Sequence, residues 1–450
     1  MPKFANSRSL LARAALLGVA ALTLVVPAAP VAAASGPYLV KDINTSGSAS
    51  PFSLTPIGDI LYFSAKGGAK GRELWRSDGT APGTKRVKDI YPGTTGSSPD
   101  GLTEVGGLLY FAANDGINGR ELWVSDGTTA GTHLVKSIRS GATGSDPSNL
   151  TAIGGFLYFS ADDGVTGREL WRTDGTSEGT TRVKDVTPGP DGTQFICMFL
   201  LGPIMFFTVY NPVLGEVALW KSYGSAATTK PFYDMDGERI RGDIHSVAVV
   251  GPRLFFSYNG DLWRSAGKPA NTKKIADVEL CCEGITGVGS TAYFSDGGSG
   301  SLWASDGTPA TTRIVKEVPP SDMVDVDGTL FFFVPDDQPW TSDGTTAGTQ
   351  PVGKLAETEG AVAALGSVLY FGGYSFEEEL AGATTPTGGS PSFVPAPTTT
   401  LSRTDGTAEG TYPIQPENYG NMGEMVAVGD SVFFVTNGGG YGFELWRYVP

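Results

Sequence analysis

From residue 38 onward, short runs of β-branched and aromatic residues alternate with clusters of Gly, Asp, Asn and Thr. Spaced about 8 to 12 residues apart, such runs predict strands and turns. The third copy of the pattern reads most plainly. DPSNLTAIGG (146–155) is a strand closed by a Gly-Gly turn, FLYFSADD (156–163) a second strand, RELWRTD (168–174) a third, and TRVKDV (181–186) a fourth after the turn DGTSEGT. Nothing of helical period recurs along this part of the chain.

The unit repeats. GRELWRSDGTAPGTKRVKDI (71–90), GRELWVSDGTTAGTHLVKSI (119–138) and GRELWRTDGTSEGTTRVKDV (167–186) are spaced by 48 residues. Weaker copies follow, and FELWRY ends the chain. All eight tryptophans (Trp75, Trp123, Trp171, Trp220, Trp263, Trp303, Trp340 and Trp446) occupy one repeat position, and the eighth of nine phases carries Ser402 there. An aromatic pair on the preceding strand recurs in all nine phases, from Tyr62-Phe63 to Phe433-Phe434.

A four-stranded sheet has two faces to cover, so copies must pack face to face. The ends of the repeat region choose how. YLVKDI (38–43) is a fourth strand without its unit, and FELWRY is a third strand without its fourth. Pairing them closes a ring with no open edge. The sequence therefore predicts an all-β propeller of eight to nine four-stranded blades, with strand 38–43 completing the last one. Within each blade the strands run a, b, c, d outward from the axis, and the repeated Trp on strand c fills the wedge between neighbouring blades.

The SDGTxxGT element joins c to d, and its acid recurs as Asp78, Asp126, Asp174, Asp306, Asp343 and Asp405. An Asp there accepts hydrogen bonds from turn N–H groups, and Gly supplies the positive φ. Six copies spread round a ring cannot converge on one substrate, so these residues are assigned to structure. Arg72, Arg120 and Arg168 each precede a Glu (Glu73, Glu121, Glu169), for which cross-strand ion pairing is the expected role.

These residues resemble the ELWxxDGT-repeat proteins, a bacterial family also labelled hyalin-like. The likeness is strongest over 71–186 and spans roughly 38–450. The turn is also similar to the Asp-box of sialidases and related propellers, a structural hairpin. The resemblance implies fold and export more than any activity. Units four and five depart from it, with Tyr223-Gly224-Ser225 and Ala266-Gly267-Lys268 in place of DGT.

Residues 1–34 read as a cleavable secretory signal: Lys3, Arg8 and Arg13, then the apolar stretch 16–26, then Ala32, Ala33 and Ala34. The expected domains are this leader and one propeller over 35–450, with a flexible Pro/Thr/Gly-rich insertion at about 376–400. A secreted or periplasmic location follows, with no membrane span after cleavage. The formal net charge of −15 argues against nucleic acid as a partner. Cys197, Cys281 and Cys282 form no disulfide framework or zinc signature, and a Cys281–Cys282 bridge stays open.

No G-x-S-x-G elbow, HExxH helix or phosphate-binding loop is present, and His133 and His245 have no partner at a recognisable spacing. No catalytic residue is assigned, although two among 47 acidic residues would suffice for a glycosidase. The face carrying the b–c and d–a loops is the candidate binding surface. There Asn114, Asp115, Asp162 and Asp163 sit next to glycines, placed either to coordinate Ca²⁺ or to cap their own loops. The expected protein is a monomeric, exported binding or scaffold module for an extracellular or envelope protein or polysaccharide. A carbohydrate-active enzyme and a purely structural envelope protein are the alternatives.

Overall fold

The computed structural model describes residues 36–211, 215–334, 338–353, 355–375, 398–414 and 419–450. The leader expected at 1–34 and residues 376–397 of the expected insertion lie outside the described residues, as do the side chains of Cys281 and Cys282. Among the described residues the strands form nine antiparallel sheets in a ring, a nine-bladed β-propeller. Eight sheets have four strands; in the fourth, Arg241–Gly242 adds a short fifth that pairs with Val217 and Ala218 of strand c.

The third blade consists of Ser148–Ile153, Phe156–Asp162, Arg168–Thr173 and Thr181–Lys184, hydrogen-bonded in that order. Its register sets Phe159 opposite Trp171 and Leu157 opposite Thr173. Both faces of strands b and c are covered by neighbouring blades, so Leu170, Trp171 and Glu169 are all buried despite the pleat. The inner strand carries a bulge, a register shift between Ser148 and Thr151 that recurs in the first and second blades. Asn149, Ser53 and Gly101 take positive φ at that point, a local kink that sharpens the twist of the strand nearest the axis.

The core is divided among the wedges. Among the described residues nine apolar clusters occur, one between each pair of adjacent blades. In one, Trp171, Phe159 and Leu157 of the third blade pack on Tyr110, Leu122 and Val135 of the second. In another, Trp75 and Phe63 of the first pack on Val428, Phe433 and Leu445 of the ninth. Burying a ring such as Phe159 contributes on the order of 2 kcal/mol. In four other blades the Trp also stacks on the strand-b Phe, for instance Phe294 and Trp303 with centroids 6.2 Å apart.

The ring closes as the chain ends predict. The ninth blade is Met422–Val428, Ser431–Thr436 and Glu444–Tyr448, and Tyr38–Lys41 supplies its outer strand. Tyr38 pairs with Arg447 and Leu39 with Trp446. The closing strand has four residues, as does strand d of the third blade, Thr181–Lys184, and beyond it the Ile43 N–H donates to the Glu444 carboxylate.

Candidate functional site

Antiparallel order places the a–b and c–d turns on one face of the ring and the b–c and d–a connections on the other. On the first face, Asp78 Oδ1 accepts the Thr80 N–H at 2.9 Å and the Thr80 hydroxyl at 2.7 Å. Thr80 Oγ1 in turn accepts the N–H of Gly83. The same bonds recur at Asp126, Asp174, Asp343 and Asp405, while Asp306 bonds Thr308 and Thr311. Hydroxyl donation from Thr80 holds the Asp78 carboxyl below its ordinary range.

Units four and five keep this turn without the Asp. Thr228 Oγ1 accepts the Tyr223 N–H, and Asn271 Oδ1 accepts those of Ala266 and Lys268. A hydroxyl pair that the motif name omits is common to eight blades: Ser77 to Thr84, Ser125 to Thr132, and in units four and five Ser222 to Thr229 and Ser265 to Thr272, all at 2.7 Å.

In several blades the turn also accepts bonds from the blade before. Lys88 of the first blade donates to the Thr132 carbonyl at 2.6 Å and Arg76 to the Gly127 carbonyl at 3.2 Å, both in the second blade. Lys41 to Thr84, Lys136 to Thr180 and Arg172 to Gly224 repeat the contact. The Tyr62 hydroxyl fills the space a Cβ on Gly127 would need, and Gly127 lies at φ +83. The spacing of about 44 residues between Lys and carbonyl gives no local signal of this pairing.

On the opposite face, Glu73, Glu121 and Glu169 take no part in the expected cross-strand ion pairing, and Glu444 holds the same repeat position in the ninth blade. Each is fully buried, and among the described residues none makes an ion pair. Glu73 instead accepts the N–H groups of Ile90, Tyr91 and Ser97 and the Ser97 hydroxyl, fixing the d–a connection. Glu169 does the same with Val186 and Thr193. Burial raises all four carboxyls, and pushes Glu169 and Glu444 up to about 7, with Asp185 and Asp42 respectively adding to the rise. The arginines find aspartates: Arg120 pairs with Asp100 and Asp146, and Arg168 with Asp146 at 2.7 Å. Arg72 donates to the carbonyls of Ser50 and Ser64.

The four candidate ligand residues lie in the b–c loops of blades two and three. Asn114 Oδ1 accepts the Gly116 N–H, and Asp115 Oδ1 accepts those of Ile117 and Asn118 while its Oδ2 accepts the Asn118 amide. Asp162 accepts the Gly164 N–H and pairs with Arg139 at 2.6 Å; Asp163 accepts the N–H groups of Val165 and Thr166. Burial opposes ionisation of Asp115, but the bonds from Asn118 and Ile117 outweigh it and its carboxyl is held low. Among the described residues no group of three or more His, Cys, Asp or Glu side chains is arranged to hold a metal ion. His245 contacts the hydroxyls of Ser246 and Ser257, and His133 the Gly131 carbonyl.

No family model matches the chain, and no curated protein matches it. Solved structures resemble it at low identity. A computationally designed protein, Ika8, is 12% identical with a TM-score of 0.45, covering 74% of this chain and 96% of its own. A puromycin hydrolase is 11% identical with a TM-score of 0.44, covering 90% of this chain and 61% of its own. BamB from Moraxella catarrhalis is 14% identical with a TM-score of 0.37, covering 71% and 92%. Among the described residues no helix is long and apolar enough to cross a membrane.

Proposed function

We propose that the chain is an exported, non-enzymatic member of the ELWxxDGT-repeat proteins. It acts as a binding or scaffold module for an extracellular or envelope protein or polysaccharide, through the face of b–c and d–a loops. One observation carries this reading: the recurring polar residues are consumed by the ring itself. The Asp of six turns caps its own turn, the lysines and arginines latch blades together, and the buried glutamates hold the connections. On the b–c side, blades two and three leave facing water two similar loops braced by Asp115 and Asp163, which suit repeated weak contacts more than a single reaction centre.

The test is a binding screen of the purified protein against glycan arrays and cell-wall fractions, with and without Ca²⁺. Saturable binding that is lost when b–c loop residues are substituted supports the proposal. Release of sugar from any glycan would replace it with a hydrolase, and absence of binding to every fraction would leave a purely structural role.

A further inference from the structure

On the face of the a–b and c–d turns, the clefts between blades are not equally full. The residue after the strand-c Trp is Arg76, Arg172, Lys221, Arg264 and Arg447 in five blades, and Arg403 holds the same position in the eighth. Arg76 and Lys221 reach across to the carbonyls of Gly127 and Gly267 in the next blade, and Arg172 covers the Phe156 ring of its own blade at 5.3 Å. Blades two and seven carry the shorter Val124 and Thr341, and blade six carries Ala304, the smallest of the nine. Blade six (Leu280–Val288, Thr291–Asp296, Leu302–Ser305 and Arg313–Lys316) also has Thr291 where blade three has Phe156. The result is an open cleft of about 220 Å³ between the sixth and seventh blades, with Thr291 and Ala304 in its lining. The cleft of blades nine and one is also open, at about 280 Å³, but there Arg447 lies over the Phe433 ring and beside Asp430.

The lining of the cleft between blades six and seven is polar and of mixed charge. Arg313 pairs with Ala304 across strands c and d, and it donates to the Gly344 carbonyl of blade seven at 2.7 Å. That bond and a longer one to the Thr311 carbonyl use only part of the five N–H donors of the guanidinium. Asp306 of blade six and Asp343 of blade seven line the same cleft, each using Oδ1 to hold its own turn. The Tyr293 phenol is within electrostatic reach of both charges: burial and Asp343 raise it, and Arg313 acts the other way. Two carboxylates against one guanidinium leave a negative excess, which disfavours phosphate, sulfate and carboxylate ligands. A metal ion is opposed by Arg313 and by carboxylates already engaged at Oδ1. Apolar lining amounts to little more than the Ala304 methyl, the Tyr293 ring and threonine methyls, too little to hold an apolar ligand.

We propose that this cleft is a carbohydrate site that takes one neutral hexose unit. A sugar hydroxyl both donates and accepts, so neighbouring hydroxyls of one ring can serve the Asp306 and Asp343 carboxylates and the Arg313 guanidinium together. Hydrogen bonds to such charged groups are about twice as strong as neutral ones. At about 30 Å³ per water, the cleft has the volume of about seven waters, the scale of one sugar ring and not of a chain. Because the cleft is open to solvent, a few such bonds give weak recognition, with a dissociation constant of about 1 mM. The site lies on the face opposite the b–c loops. It therefore goes beyond the function proposed above, and the two readings fail separately.

Saturation-transfer NMR of the purified protein with glucose, galactose and mannose, each at about 10 mM, tests this. The expected result is transfer to at least one of the three sugars. Ala304→Arg restores the residue found in blades one, three, five and nine and fills the cleft; it is expected to abolish the transfer without lowering the thermal midpoint. Arg313→Ala, at an exposed position, is expected to weaken binding at least about fivefold through the loss of a charge-assisted bond, and it carries the test if Ala304→Arg fails to fold. Competition by a trisaccharide of the same sugar identifies a chain end as the source, and its absence a free sugar; both outcomes support the site. No transfer to any of the three sugars overturns the proposal, as does transfer that both variants leave unchanged. Transfer that is lost in Asp115→Ala with Asp163→Ala and kept in Ala304→Arg also overturns it, and leaves the proposed function standing with the sugar on the b–c loops.

Discussion

Glu444, the first residue of the last ELW motif, accepts the backbone N–H of Ile43 at 3.1 Å across 401 positions of sequence. The same carboxylate takes the N–H groups of Asn44 and Ala49. It is the repeat's buried glutamate, used here to bind the segment that joins the closing strand to the first blade. Replacing it with Ala strands three buried donors, each costing about 1 to 3 kcal/mol. Glu444→Ala is expected to lower the free energy of urea unfolding by about 3 kcal/mol or more. Glu424→Ala, which removes two bonds to Ser53 and Leu54 that water can replace, is expected to cost under about 1 kcal/mol. Equal losses in the two variants would contradict the account.

The carboxyls divide into two sets with opposite pH behaviour. For Glu73, Glu121, Glu169 and Glu444 the folded value lies above the ordinary 4.5. Their stabilisation is complete below that value and is lost as pH rises toward about 7, where Glu169 and Glu444 titrate. For Asp78, Asp115, Asp163 and the other turn aspartates the folded value lies below 3.8. Their contribution is present above 3.8 and is lost as pH falls through the folded value. Thermal unfolding followed by calorimetry should therefore give a maximum midpoint at roughly pH 4 to 5. A midpoint that climbs steadily from pH 5 to 8 is the contrary outcome.

Gly127 and Tyr62 form one of the inter-blade latches. Ala at position 127 meets a positive φ, worth about 1 to 2 kcal/mol, and also displaces the Tyr62 hydroxyl. Tyr62→Phe takes away only the second difficulty. In a double-mutant cycle, Gly127→Ala is expected to cost less in the Tyr62→Phe background than in the parent. The same cost in both backgrounds would show that the hydroxyl is not what fills the site.

Calcium is expected to leave the protein unchanged, because Asp115 and Asp163 already spend their oxygens on loop N–H groups and on Asn118, Thr166 and Arg182. A site with a dissociation constant a hundredfold below the added Ca²⁺ would contribute about 2.7 kcal/mol and raise the thermal midpoint by several degrees. A rise of that size on adding millimolar Ca²⁺, abolished by Asp115→Ala with Asp163→Ala, would reinstate these loops as ion ligands.

Much of the architecture was legible because each blade advertises itself. Trp171 and its equivalents mark strand c, and the YLVK and FELWRY fragments are visibly parts of one sheet. The role of Glu169 was not legible, for a physical reason. Period-two alternation separates buried from exposed positions only when one face of a strand meets water. In a propeller both faces of strand c are covered, so Glu169, Leu170 and Trp171 are buried in succession. The partners of Glu169 lie 17 and 24 residues downstream on a connection with no motif of its own. The contact of Lys88 with Thr132 was no more legible, since a contact between repeats looks in sequence like two unrelated features of each repeat. The exposed Ile117 was hidden by the opposite effect: an apolar residue in a strand-rich chain reads as core until its loop is seen.

The central claim is that the first and ninth blades are neighbours. Asp59 and Asp430 occupy the a–b turns of these two blades and line one cleft between them, with Gly429 beside Asp59. Spin labels at Asp59→Cys and Asp430→Cys, with Cys197, Cys281 and Cys282 changed to Ser, report their separation by electron paramagnetic resonance. A closed ring places the labels roughly 10 to 20 Å apart, about one sheet spacing plus the label arms. An open stack of the same nine sheets would separate them by about 80 Å, eight spacings of about 10 Å, and a distance of that order would contradict the closed propeller.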